Sequence, residues 1–361
     1  MSAERQRSQR KAKQMPPQRT NATLADVAAA AGVSINTVSR SLRAPHTVRP
    51  DLRQQINKIV DQLNYVPNRI AGGLAGSSTN IVGVIVTSLF NSEFAEIIEA
   101  LQRDLARDGL QVMIANSAYD PDEELRVVRA LLSWRPAAIA IVGKEHHPRS
   151  VELLATAGIP VIQFWDASDA CIDSVVGMDH REIGRMQAAH LSANGCRRLA
   201  FVGSVRKHDH RAQKRLAGMQ TYVGKKRLGP LAVEISGESG NAALGEQLVT
   251  ALLARNPDID GIVCNSDVIA LGVLRGLRRM GRSVPEDVAV IGFGDSEAGR
   301  CTVPELSTVR PPRAEIGRLV GRAVISRING GEREQHCLPA ELIIRESSQK
   351  GVKPSTTRRR K

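Results

Sequence analysis

Apolar residues follow two different periods along the chain, and the change between them predicts its organisation. From Thr23 to Tyr65 they recur at helical spacing. Leu24, Val27 and Ala28 follow Thr23, whose hydroxyl suits an N-cap, and Gly32 ends the run. Ser34 then caps a second short helix reaching Leu42, and Asp51 to Leu63 makes a third with Leu52, Ile56, Ile59 and Leu63 on one face. Beyond residue 80 the runs become short and continuously apolar: 81–87, 110–116, 137–143, 159–165, 198–203, 260–265 and 287–293, with a helical stretch between each pair. Such runs are strands of parallel sheets covered on both faces. They fall into two sets, before and after about residue 167. The predicted fold is an all-α helix-turn-helix headpiece plus an α/β body of two doubly wound parallel-sheet lobes, with a ligand cleft outside the carboxyl ends of the strands.

The expected boundaries follow from composition. Residues 1–20 read as a disordered basic arm, 21–65 as the helical headpiece, and 66–80, VPNRIAGGLAGSSTN, as a linker rich in glycine. The body spans 81–347, its first lobe about 81–166 and 308–330 and its second about 167–307 and 331–347. Residues 348–361 read as a disordered basic tail.

Charge adds a partner to this picture. Of the net +13, the segments 1–20 and 350–361 hold +11, whereas residues 81–349 sum to −1. Basic extremities on a neutral body suggest contact with a polyanion, nucleic acid being the commonest; tails that merely aid solubility are the plainer alternative. Five widely spaced cysteines without a C-x-x-C pair encode neither a disulfide framework nor a zinc ribbon. No window holds eighteen uninterrupted apolar residues and no apolar stretch follows the basic start, so a cytoplasmic, nucleoid-associated protein is expected.

The stretch T-L-A-D-V-A-A-A-A-G-V-S-I-N-T-V-S-R (23–40) carries the sharpest signal. Its alanines allow two helices to approach closely across a glycine turn, as a helix-turn-helix requires. On the second helix Ile35, Asn36, Ser39 and Arg40 share the outer side, while Val38 and Leu42 point inward. Asn can pair with adenine, Arg with guanine, and an apolar tip can meet a thymine methyl in the major groove.

Together with L-N-Y-V-P-N-R-I-A-G-G-L (63–74), I-V-G-V-I-V (81–86), C-N-S-D-V-I-A-L-G (264–272), V-P-E-D-V-A-V-I-G-F (284–293) and P-E-L-S-T-V (304–309), this stretch resembles the LacI/GalR family of bacterial transcription factors, over about residues 22–346. The resemblance implies that Ile35, Asn36 and Arg40 read bases and that Thr23, Ser34, Thr37, Ser39 and Asn68 hold phosphates. It implies a hinge helix in the linker, with Leu74 wedged into the minor groove beside Ala71. Gly72 and Gly73 each cost about 1 kcal/mol in such a helix, which favours folding of the hinge on DNA.

The body is similar to periplasmic sugar-binding proteins, as the family's is. Arg215, just before L-A-G, matches the family's arginine that bonds sugar hydroxyls, and Arg211 lies one turn earlier. G-F-G-D (292–295), with Gly294 where the family more commonly has Asp, together with L-S-W (132–134), E-H-H-P-R (145–149) and D-A-S-D-A-C-I-D-S-V-V-G (166–177), looks like the gluconate-utilisation subgroup. Losing a carboxylate while gaining basic residues suggests an anionic effector: gluconate, a ketogluconate or 6-phosphogluconate. Further candidates are Ser88, Asn91, Phe94, Lys144, Glu145, Trp165, Asp166, Asp179, Ser266, Asp267 and Asp295. Asp267 reads equally as a helix cap, Trp165 equally as core, and Arg211, Lys214 and Arg215 as a solvated helix face.

Neither histidine pair, His146/His147 or His208/His210, sits in a metal-binding frame, and no hydrolase, Walker or dinucleotide motif occurs, so no enzyme, metal or cofactor is expected. The expected partners are a second copy of the chain, as a homodimer, a pseudo-palindromic operator and a small-molecule effector. A neutral sugar as effector, a sugar-binding transport protein and a sugar-acid enzyme are the competing readings. The C-terminal segment has no apolar heptads, which favours a dimer over a tetramer.

Overall fold

The computed structural model describes residues 22–66, 79–89, 92–167 and 171–351. The chain divides into two compact units, Met1–Ser77 and Ser78–Lys361.

In the first unit three helices, α1 (Leu24–Ala31), α2 (Ile35–Arg43) and α3 (Pro50–Gln62), enclose a small core of Val27, Ala28, Ala31, Val38 and Ile56. Thr23 begins α1 with a reciprocal cap. Its hydroxyl accepts from the Asp26 amide, and the Asp26 carboxylate accepts from the Thr23 amide at 2.7 Å. Gly32 ends α1 with φ 66°, a left-handed conformation that glycine adopts without steric cost. Ser34 caps α2 through the Thr37 amide, as its position before the second apolar run predicts.

The second unit contains two six-stranded sheets. The first orders its strands β11-β5-β4-β3-β1-β2, all parallel: β1 (Ile81–Val86), β2 (Gln111–Asn116), β3 (Ala138–Val142), β4 (Val161–Asp166), β5 (Ser174–Met178) and β11 (Gln335–Cys337). Its faces are covered by α4 (Ser92–Arg107) and α12 (Arg313–Ile328) on one side and by α5 (Pro121–Ser133) and α6 (Pro148–Thr156) on the other. On β1, Val82, Val84 and Val86 pack on the α4/α12 side and Ile85 on the α5/α6 side, which is why that strand reads as continuously apolar.

The second sheet orders β12-β10-β9-β8-β6-β7: β6 (Leu199–Ser204), β7 (Ala232–Ser236), β8 (Gly261–Cys264), β9 (Ala289–Phe293), β10 (Ser307–Arg310) and β12 (Glu341–Ile343). Only the β10–β12 pair is antiparallel. Between these strands run α7 (His180–Ala193), α8 (His210–Lys226), α9 (Ala242–Arg255), α10 (Asp267–Arg279) and the short α11 (Glu297–Arg300).

These pairings correct three expected limits. β5 belongs to the first sheet, so that lobe does not end at residue 166, and β11 returns to the same sheet rather than to the second lobe. The second lobe includes all of β10, where the expected limit of 307 would have divided a strand. The body also runs past residue 347. Ser348, expected at the start of the tail, is buried, and its hydroxyl lies 2.7 Å from both His190 Nε2 and the Ser307 hydroxyl. The expected arm, most of the linker and the rest of the tail lie outside the described residues.

Candidate functional site

The headpiece presents the outer side of α2. Val38 is buried and Leu42 packs against the core, which turns Asn36 and Arg40 outward. Ile35, at the start of the helix, is 50% exposed. Thr37 and Ser39 are half-buried beside them. The hydroxyls of Thr23 and Ser34 cap the first turns of α1 and α2, Ser34 also lying 2.8 Å from Thr37 Oγ1. Of the hydroxyls predicted to face phosphates, those of Thr23, Ser34 and Thr37 thus stand at two helix N-termini, where backbone N–H groups and the helix dipole favour an anion, and Ser39 lies further along α2. Asn68, Ala71 and Leu74, the expected hinge contacts, lie outside the described residues.

In the second unit a cavity of about 520 Å³ opens between the two lobes. The loops after β1, β8 and β9, the starts of α4, α8 and α10, and the end of β4 bring together Ser88, Phe94, Trp165, Arg211, Arg215, Ser266, Asp267 and Gly294 from the expected set. Arg215 is the most constrained of them. It is 5% exposed, its Nη2 donates to the Asn265 carbonyl at 3.0 Å, and its guanidinium stacks on the Phe293 ring at 4.3 Å. Its Nε has no hydrogen-bond partner, and burial lowers the affinity of the guanidinium for its proton. Arg211, also buried, donates across the cleft to Thr87 Oγ1 at 3.1 Å. Neither arginine belongs to a solvated helix face.

Trp165 fills both roles left open by its sequence position: it packs edge-on against Phe94 at 5.7 Å and Phe293 at 6.3 Å, and it lines the cavity. Asp267 is not the cap of α10. Ser266 caps that helix, while the Asp267 carboxylate accepts from the Ser296 amide at 2.6 Å and the Thr308 hydroxyl at 2.7 Å.

Other expected contacts go elsewhere. Asp295 is turned into a cluster of Arg300, Arg310 and Arg345. Asp166 is fully buried and bonded to Lys214 Nζ at 2.5 Å, and Glu145 holds the same ammonium at 2.7 Å. Asp179 caps α7 through the Arg181 and Glu182 amides. Lys144 lines neither this cavity nor the neighbouring one, and Asn91 lies outside the described residues.

Several lining residues escaped the sequence reading, among them Glu93, Tyr119, Arg206, Asp209, Asn241 and Asn265. Tyr119 and Arg206 lie in loops at the carboxyl ends of strands that were recognised, so strand polarity was the signal available for them. Glu93 changes the electrostatic argument. A Cβ on Gly294 would sit 3.0 Å from Glu93 Oε1, so a carboxyl from the first lobe occupies space that a side chain at 294 would need. Arg206, Arg211 and Arg215 face Glu93, Asp209 and Asp267, and the cavity is balanced in formal charge rather than basic. Burial pushes the carboxyls of Glu93 and Asp267 up.

A second cavity of about 260 Å³ adjoins the first through Tyr119 and Arg211 and is lined by His146 and His147 from one lobe and His208 and His210 from the other. Among the described residues no cluster of histidine, cysteine or acidic side chains is arranged to hold a metal ion. None of the described helices is long and apolar enough to cross a membrane.

Residues 23–68 match the family described as bacterial regulatory proteins, lacI family, and residues 188–348 match the periplasmic binding protein-like domain. The HTH-type transcriptional regulator GntR of Pseudomonas aeruginosa is 36% identical over 330 residues, covering 90% of this chain and 95% of its own. The crystal structure of a LacI family transcriptional regulator from Silicibacter pomeroyi superposes with a TM-score of 0.86 at 33% identity, over 91% of this chain and 100% of that one. The lac repressor dimer bound to operator and the anti-inducer ONPF gives a TM-score of 0.79 at 25% identity, over 91% and 99%.

Proposed function

The chain belongs to the lacI family of bacterial regulatory proteins and is a transcriptional repressor, and we propose that it governs sugar-acid utilisation genes through an aldonic acid bound between its two lobes. Its relatives are regulators, and regulation requires no bond to be broken here: the work is done by differential affinity. As a homodimer the protein offers two headpieces to the two halves of a pseudo-palindromic operator. Ile35, Asn36 and Arg40 meet base edges, while Thr23, Ser34, Thr37, Ser39 and Asn68 hold the backbone. Leu74, with Ala71 beside it, wedges the minor groove at the centre.

The observation that carries the effector reading is Arg215: a buried guanidinium on the cavity wall that bonds its neighbours through one N–H of Nη1 and one of Nη2 and has further donors to offer. A buried donor on a charged group left without an acceptor costs free energy, and a carboxylate supplies that acceptor. The test is thermal unfolding of the full chain with gluconate, 2-ketogluconate, 5-ketogluconate, 6-phosphogluconate and glucose. Saturation at about 100 times Kd adds roughly 2.7 kcal/mol to the native state, so one acid should raise Tm and glucose should not. The equal number of acidic and basic lining residues favours a second reading, a neutral sugar, and a shift with glucose alone would establish it. Operator release by the ligand so found distinguishes inducer from corepressor.

A further inference from the structure

His180 is the first residue of α7, just beyond the segment on which the chain first crosses from one lobe to the other. Its ring is fully buried, with the rings of Trp165 and Phe293 each centred 6.2 Å away. The two nitrogens have chemically opposite partners. Arg215 Nη1 lies 3.1 Å from Nδ1, and the Trp165 carbonyl oxygen lies 3.1 Å from Nε2. A guanidinium only donates and a carbonyl only accepts, so Nδ1 is the acceptor and Nε2 carries the proton. The imidazole is neutral. Its burial and the neighbouring charges of Arg215 and Arg211 oppose protonation, against the opposite pull of Asp166 and of the Trp165 carbonyl.

We infer that His180 is a positioning residue for effector binding: it orients the Arg215 guanidinium and ties it to the backbone of the opposite lobe at Trp165. With Nη1 on His180, Nη2 on the Asn265 carbonyl and its face on Phe293, the guanidinium is fixed on three sides, and Nη1 and Nη2 each keep a second N–H for a ligand. The helices that carry the two residues are held at backbone contact. A Cβ on Gly184 of α7 would fall 1.8 Å from the Arg215 carbonyl oxygen, and one on Gly218 of α8 would fall 1.9 Å from that of Arg181. At the other anchor, Trp165 has φ 80°, and Gly177 of β5 lies so close that a Cβ would approach the Asp166 amide to 2.6 Å. Both ends of the His180 bridge are thus backed by close backbone packing.

The inference rests on reading Arg215 as the effector's partner, and the experiment separates the two. Full-length His180→Leu, which has neither nitrogen, should bind the acid identified by unfolding about tenfold more weakly or worse, the size of one hydrogen bond to a charged group. Its operator affinity without ligand should stay within about twofold of wild type, because no headpiece residue is touched. His180→Asn, which restores an acceptor near the Nδ1 position, should recover most of the affinity. Independently of any ligand, the imidazole nitrogen resonances of wild type at about pH 7 should report the Nε2-protonated tautomer, and the Nδ1 signal should move in Arg215→Lys. Undiminished binding by His180→Leu overturns the inference, as do equal losses in both variants or an Nδ1-protonated ring. If wild type binds none of the acids, the effector reading fails, while the tautomer and the Arg215→Lys response still decide whether His180 holds Arg215.

Discussion

Asp295 shows how much one side chain can depend on conformation. Its carboxylate meets Arg345 at 2.5 Å, Arg310 at 2.7 Å and Arg300 at 3.0 Å. Burial pulls its pKa up, but the hydrogen bonds from Arg345, Arg310 and Arg300 outweigh it and hold the group at about 2. A depressed carboxylate contributes stability that is present above its ordinary value of 3.8 and lost as pH falls towards 2. Asp295→Asn should therefore lower stability by about 3 kcal/mol at about pH 7. That difference from wild type should shrink steadily below about pH 4 in urea unfolding measured across that range. Its place in G-F-G-D suggested a ligand contact, but Gly294 at φ 130° and Asp295 at φ 48° direct the carboxylate to the arginine cluster. Backbone conformation of this kind is not written in residue type. Glu93 was hidden for a related reason: its importance comes from space left by Gly294, two hundred residues away.

Among the elements, those that bury both faces were legible and those that depend on neighbours were not. β1, β3, β6, β8 and β9 carry almost no polar side chain because helices cover both sides, and β4 adds only Gln163 and Asp166, both buried. β7 alternates half-buried and exposed residues, and β11 is the three-residue Gln335–Cys337; their strand character comes from pairing with β6 and β5. The headpiece helices were readable to within one residue, α1 and α2 because the side chains of Thr23 and Ser34 cap them, and α3 from its apolar face, since Arg49 makes no capping bond. The α7–α8 contact was not, since a helical glycine announces no partner. Gly218→Ala should cost about 3 kcal/mol by forcing two backbones apart. It should also weaken effector binding, because the displaced helix carries Arg215; calorimetric unfolding and ligand titration check the two effects.

At the scale of the molecule, charge and function are spatially divided along the sequence. Residues 352–361 carry five Lys/Arg and no acid, so a chain ending at residue 351 should bind a nonspecific duplex with a salt dependence shallower by as much as about 4 in log K against log salt. Its preference among operator sequences should not change, which competition binding at several salt concentrations tests. The candidate effector cavity is distributed differently. The cavity takes Glu93 and Trp165 from one lobe and Arg211, Arg215 and Gly294 from the other, so its two halves meet only when both sheets are complete.

The return of β11 to the first sheet has a consequence for how the protein is made. That sheet is begun at Ile81 but its last strand ends at Cys337, and α12, which covers one face, starts only at Arg313. As the chain leaves the ribosome, the headpiece can close its own core early, since domains fold as units and the N-terminal one emerges first. The first lobe of the sensor must wait until Cys337 has emerged. A chain broken before Cys337 therefore carries a headpiece whose core can close beside a sensor lobe that lacks its last strand.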